Sequence, residues 1–127
     1  MEQFNNIINK KRSIAERYTA NLSDLNGIKH LPGDTDKAYH SYWLYSLQLE
    51  ERIDRDEVIS KLLNRGIEAR PVFYPLNEMA IYKSFITHNY FPISKIVSRS
   101  SLSLPSSLNL DNAQIDHICD TLKSTIS

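Results

Sequence analysis

An arginine, two aromatics and an amide fall within eight residues in Arg70-Pro71-Val72-Phe73-Tyr74-Pro75-Leu76-Asn77, and Glu78, Met79 and Tyr82 follow closely. Two prolines stiffen this backbone. A guanidinium suits a bidentate grip on phosphate or carboxylate. Phe and Tyr pack against a base, a sugar face or a cofactor ring. The same residues also describe a proline-ordered loop whose aromatics cover a sheet. The residues alone leave both readings open, and the covering loop is the simpler one.

Elsewhere the sequence shows no complete active site. His30, His40, His88 and His117 do not pair at a metal-binding spacing, and one cysteine cannot build a common structural zinc site. Asp54 to Glu57 reads as a helix cap, and Glu50-Glu51 as a strand end facing water. Gly27, Gly33 and Gly66 are the only glycines and are scattered, so neither a GxGxxG cradle nor a GxSxG elbow exists. Cys119 lies in an apolar helical stripe, where a thiol is a small core hydrophobe. The lysines sit in polar, helical or loop contexts, and none reads as a desolvated Schiff-base lysine.

Length and charge bound the rest. With 127 residues the chain is the size of one domain. Fifteen Lys and Arg against fifteen Asp and Glu give a formal net charge of zero, which argues against a nucleic-acid partner. No apolar run approaches the roughly 18 residues of a membrane span. The first residues show neither a basic start nor an apolar leader stretch, and the lone cysteine fits a reducing compartment. A soluble cytoplasmic domain is expected, with no membrane partner.

The patterning predicts the elements that must position Arg70 to Tyr82. Ile7, Ile8, Ile14, Ala15, Tyr18, Leu22 and Leu25 give a helical face over about 2–25, and Lys10-Lys11-Arg12 read as its solvated side. Ile28–Leu31 and Tyr42–Leu49 read as strands, the second burying Trp43, Tyr45, Leu47 and Leu49. Asp54 and Glu57 form a capping box for a helix with Val58, Ile59, Leu62 and Leu63 inward, ended by Gly66. A strand over Ile67–Phe73 should lie at a sheet edge because of Pro71. Short helices are expected at Asn77–Phe85 and Phe91–Ser100, then a strand at Ser101–Pro105. The last helix is capped by Asp111 with Gln114 and buries Ile115, Ile118, Cys119, Leu122 and Ile126. The order predicts an α+β fold, a small, mostly antiparallel sheet packed against helices, in a single domain over 1–127.

Six segments in this order resemble a known family. They are Arg12-Ser13-Ile14-Ala15-Glu16-Arg17-Tyr18, Ser41-Tyr42-Trp43-Leu44-Tyr45, Arg55-Asp56-Glu57 with Leu62-Leu63, Gly66-Ile67, Arg70 to Leu76, and Leu102-Ser103-Leu104-Pro105. Together, over residues 10 to 126, they are similar to the C-terminal small domain of the DegT/DnrJ/EryC1/StrS family. Its members are pyridoxal-phosphate-dependent aminotransferases of nucleotide sugars, with the aspartate-aminotransferase-type (fold-type-I) architecture. The wording of Arg70 to Leu76 is most similar to the branch that makes GDP-perosamine and related amino sugars of cell-surface polysaccharides.

The resemblance implies a division of labour. In the family the large N-terminal domain carries pyridoxal phosphate and the Schiff-base lysine, and that domain is expected to be absent here. No bound cofactor, catalytic residue or metal is therefore expected in this chain, which alone should be inactive. The implied substrate contacts are Arg70, Phe73, Tyr74, Asn77 and Tyr82. The family commonly has histidine where Asn77 stands; asparagine keeps a donor and an acceptor but carries no proton near neutral pH. The implied partners are the nucleotide-sugar substrate, the missing large domain and a second subunit of a homodimeric parent, with glutamate as amino donor. The alternative from another class is a stand-alone, non-catalytic binding module, or the remnant of a decayed aminotransferase gene. A detached half should expose apolar surface around Trp43 and Phe73-Tyr74, whereas a self-sufficient module should have polar residues there.

Overall fold

The computed structural model describes residues 2–82, 84–85 and 91–127; His88 and part of the expected Asn77–Phe85 helix lie outside them. The elements run α1 (Glu2–Leu22), β1 (Ile28–His30), β2 (Tyr45–Leu49), α2 (Arg55–Leu63), β3 (Arg70–Pro71), two 3₁₀ turns (Leu76–Glu78 and Ala80–Tyr82), α3 (Pro92–Ser100), β4 (Ser101–Leu104) and α4 (Asn112–Ile126). The sheet order is β1-β2-β4-β3, and every pairing is antiparallel. Leu47 stands opposite Leu102 and Tyr45 opposite Leu104, so these apolar side chains share one face. Against that face pack Ile14, Ala15, Tyr18 and Leu22 of α1, Ile115, Ile118, Cys119 and Leu122 of α4, and Val58 and Leu62 of α2. On the other face Gln48 Nε2 donates to Ser100 Oγ of α3 at 3.0 Å, and the Ser46 and Ser103 hydroxyls meet at 2.7 Å.

The caps follow from local chemistry. Asp54 Oδ1 accepts from the Asp56 and Glu57 amides at 2.8 and 3.1 Å, satisfying first-turn donors of α2. Glu57 does not reach back to complete a box. Its carboxylate lies 2.7 Å from Lys61 Nζ, four residues on, where helix geometry favours the pair. The box expected at α4 is complete, with Asp111 Oδ1 taking the Gln114 amide at 2.8 Å and Gln114 Oε1 taking the Asp111 amide at 3.0 Å. Gly66 closes α2 at φ +78°, and Pro71 lies on edge strand β3, where its missing N–H leaves no gap in a ladder.

Several expectations are corrected. The face of α1 is buried only from Ile14 onward; Ile7 is exposed because the helix runs beyond the elements that cover its second half. The strand predicted over Tyr42–Leu49 starts at Tyr45: Tyr42 adopts φ +47°, turning the chain and placing Trp43 outward, 65% exposed. Leu63 is exposed because Val58 and Leu62, one helical turn apart, form the inward seam. The Ile67–Phe73 strand shrinks to two residues. Its first amides serve turns instead, Ile67 N to Leu62 O at 3.0 Å and Ala69 N to Ile67 O at 3.1 Å. Within Asn77–Phe85 the described residues form 3₁₀ turns, not an α-helix.

Tyr18 links the core to the end of β4. Its ring stacks on Tyr45 with centroids 4.8 Å apart, and its hydroxyl donates to Pro105 O at 2.9 Å. Cys119 is buried, and desolvation pushes its thiol up to about 11. We therefore expect iodoacetamide at about pH 8 to leave Cys119 unmodified in the native chain and to alkylate it once urea unfolds the domain. Rapid native alkylation, read by mass spectrometry, would contradict this placement.

Candidate functional site

Three connections meet at one end of the sheet: Trp43-Leu44 entering β2, Pro105 to Ser107 leaving β4, and Glu68 leading into β3. With Arg70 and Phe73 they line a groove of about 400 Å³. Trp43 and Phe73, both in its lining, stack on one another with ring centroids 6.1 Å apart and planes within 16° of parallel. Phe73 is 69% exposed. Arg70 is also exposed and turns its guanidinium onto Glu68 Oε1, with Nε at 3.1 Å and Nη2 at 2.7 Å. Both partners of this ion pair face water, so it contributes little to stability and leaves Arg70 free to exchange partners.

The side chains read as solvated on α1 build this site. Lys11 Nζ donates to Trp43 O at 3.0 Å and to Ser106 O, tying the chain entering β2 to the chain leaving β4. Burial lowers the Lys11 pKa somewhat, yet two carbonyl acceptors hold the ammonium in place. Arg12 grips the Asp34 carboxylate with both Nη atoms and donates to His40 O at 3.0 Å, while Asp34 Oδ1 accepts from His40 N at 2.6 Å. The excursion from Leu31 to Leu44 is thus pinned to α1. The adjacent basic residues divide the work because neighbours on a helix point about 100° apart.

Asp34 is held down to about 2, first by the Arg12 hydrogen bonds and then by the His40 amide. A carboxyl depressed below its unfolded value of about 3.9 stabilises the fold above that value and loses this contribution as pH falls through the folded pKa. Trp43, at the end of the pinned excursion, should therefore change its emission as pH falls from about 4 to about 2. Asp34→Asn should flatten that change. A wild-type signal that is flat over this range would contradict the latch.

The five residues singled out in the sequence are not gathered in one place. Arg70 and Phe73 share the groove. Asn77 is half-buried and lines a separate shallow hollow with Leu76, Phe91 and Ser94. Tyr74 is 59% exposed and Tyr82 is exposed on the second 3₁₀ turn, and neither lines the groove. Sequence reasoning did not bring Lys11 or Glu68 to this place, and named Trp43 only as apolar surface that a detached half should expose. A further hollow of about 290 Å³ lies under the Leu31–Leu44 excursion, where Tyr45 Oη sits between Thr19 Oγ1 at 3.1 Å and His30 Nδ1 at 3.3 Å. Among the described residues no three His, Cys, Asp or Glu side chains cluster as metal ligands, and no helix is long and apolar enough to cross a membrane.

The model of the DegT/DnrJ/EryC1/StrS aminotransferase family matches residues 1–123. The chain belongs to this family. GDP-perosamine synthase of Vibrio cholerae is 34% identical over 126 residues, which is 98% of this chain and 34% of that protein. GDP-perosamine synthase of Escherichia coli O157:H7 is 30% identical over 127 residues, 100% of this chain and 34% of that one. The chain spans about a third of the length of these relatives.

Spr1654 of Streptococcus pneumoniae, described as a sugar aminotransferase, superposes in its apo form with a TM-score of 0.85 at 23% identity, covering 98% of this chain and 32% of that one. Forms of it with PLP and PMP also superpose. The fold is thus the α+β packing found within fold-type-I, PLP-dependent sugar aminotransferases of the DegT/DnrJ/EryC1/StrS family. None of the residues that line the groove is a lysine, so the groove offers no Schiff-base amine of the kind that such an enzyme needs. Lys11 is engaged by two carbonyls, Lys61 and Lys95 face carboxylates, Lys10, Lys29 and Lys37 are exposed, and Lys123 is half-buried in the last turn of α4.

Proposed function

We propose that residues 1–127 form the C-terminal small domain of a PLP-dependent aminotransferase that aminates a keto nucleotide-sugar, with glutamate as donor, for cell-surface polysaccharide or amino-sugar synthesis. The observation that carries this reading is a family match along the chain over only a third of its relatives, joined to a groove whose aromatics are left uncovered. Bond chemistry is assigned to the large domain of a homodimeric parent, where bound pyridoxal phosphate supplies the electron sink. The chain alone holds no cofactor in this reading and is inactive. Its place is the cytoplasm, without nucleic-acid or membrane partners.

Its own residues orient the substrate. Arg70 exchanges Glu68 for a phosphate oxygen of the nucleotide sugar, keeping a charge-assisted bond in either state. Phe73 and Tyr74 offer ring faces to the apolar side of the sugar. Asn77 gives an amide donor and acceptor to a sugar hydroxyl without moving a proton. Tyr82 adds a hydroxyl from the next turn. These contacts act on rate through alignment, since a reacting group held in place converts an encounter into an internal step.

The uncovered Trp43, Phe73 and Tyr74 weigh against a self-sufficient binding module, which should present polar residues there. The test supplies the purified chain with PLP, glutamate and a GDP-4-keto-6-deoxy sugar and follows the amino sugar by mass spectrometry. No product is expected; measurable turnover by the chain alone would overturn the assignment of roles.

A further inference from the structure

We propose that Asn26 is a site of spontaneous deamidation, and that its isoaspartate product loosens β1 from the sheet. Asn26-Gly27 is the one place in the chain where glycine follows asparagine, at the turn between α1 and β1. Asn26 is exposed. Among the described residues the Gly27 N–H donates to no backbone acceptor, so no ladder bond holds its nitrogen back. Glycine also has no Cβ to shield that nitrogen from the side chain before it.

Asparagine is a chemically labile residue, and its conversion here needs only water. The Gly27 nitrogen loses its proton to base and attacks Asn26 Cγ. The new N–C bond closes a succinimide ring while the Cγ–Nδ2 bond breaks, and Nδ2 leaves as ammonia with a proton returned by solvent. Water then opens the ring at one of its two carbonyls. Opening at Cγ leaves aspartate on the original backbone. Opening at the main-chain carbonyl leaves isoaspartate, whose backbone runs through Cβ and Cγ. One water is consumed and one ammonia released, and nothing is oxidised or reduced.

The two products differ in what they do to the fold. Gly27 O accepts from Glu50 N at 2.8 Å, and Ile28 is paired with Leu49 directly after it. The Gly27 α-carbon is packed so closely that an added methyl would meet Ile53 Cδ1 at 2.7 Å and Ile126 Cγ2 at 3.2 Å. The methylene that isoaspartate inserts into the main chain therefore has no slack to occupy. What yields is β1, an edge strand of three residues. Aspartate at this exposed position leaves backbone and packing as they were.

The 127-residue chain is incubated in mildly alkaline buffer, alongside the same chain unfolded in urea. Peptides are mapped by mass spectrometry, and isoaspartate is measured with a protein isoaspartate methyltransferase and labelled S-adenosylmethionine. The native chain should exchange amide for acid at Asn26 before any other asparagine, and faster as pH rises, because the attacking nitrogen must lose its proton. The separated isoaspartate form should melt about 5 °C below the unmodified chain, whereas Asn26→Asp should melt with it. Asn26→Gln, whose longer side chain closes the ring poorly, should remove the early conversion and keep the wild-type far-ultraviolet spectrum. Conversion confined to the urea-unfolded chain, or arising first at another asparagine, overturns the site. An isoaspartate form that melts with the unmodified chain overturns the loosening of β1. Neither readout involves amino transfer, so both outcomes stand apart from the function proposed above.

Discussion

Leu47→Ala is expected to lower the stability of the chain by about 2–5 kcal/mol. Leu47 is fully buried at the centre of β2, opposite Leu102 of β4 and under α1 and α4. Truncation removes transfer free energy and leaves a cavity that the paired strands, tied on both sides, close poorly. Domains of this size have roughly 5–15 kcal/mol in total, so the variant should melt tens of degrees lower or fail to fold. Function is linked to this, because β2 and β4 deliver Trp43 and Pro105 to the groove. Leu63→Ala is the control: it was expected inside and stands on the surface, and should change stability by less than about 0.5 kcal/mol. Urea unfolding measures both. Equal losses would mean that the inward seam of α2 is not Val58 and Leu62.

Gly27→Ala should destabilise the chain by about 2–4 kcal/mol, well beyond Gly66→Ala at about 1–2 kcal/mol. Both glycines have positive φ, +95° and +78°, so each alanine meets the left-handed penalty. Only at Gly27 does a methyl also collide, 2.7 Å from Ile53 Cδ1 and 3.2 Å from Ile126 Cγ2, while nothing lies within 4 Å at Gly66. Gly27 also accepts the Glu50 amide at 2.8 Å, fixing β1 against the end of β2, so relief by backbone movement is hindered. Thermal melts of the two variants rank them. A Gly66 variant as damaged as the Gly27 variant would place the strain elsewhere.

What was legible in the sequence followed local rules. The cap at Asp54, the full box at Asp111 with Gln114, the stop at Gly66 and the edge position of Pro71 each rest on chemistry within a few residues. The buried stripe of α4 was legible because its helical period is uninterrupted. Trp43 was misread because alternation along Tyr42–Leu49 carries no sign of the positive φ at Tyr42, which is set by contacts of a long excursion. Lys11 and Arg12 looked like a solvated pair because their acceptors, Trp43, Ser106, Asp34 and His40, are 22 to 95 residues away. The same holds for the site. Arg70 and Phe73 were singled out by residue type, but which connections face them is a property of sheet order, and that order placed Trp43 and Glu68 beside them while leaving Asn77 in another hollow.

The central claim, that this chain orients a nucleotide sugar for chemistry carried by a large domain, is tested most directly by a swap. The corresponding third of the Vibrio cholerae GDP-perosamine synthase is replaced by residues 1–127, and transfer from glutamate to the GDP-4-keto-6-deoxy sugar is measured. Amino transfer should persist, and Phe73→Ala within the swap should lower kcat, as the loss of an aligning contact does. A swap that binds PLP and assembles like the unaltered enzyme, yet transfers no amino group, would contradict the account.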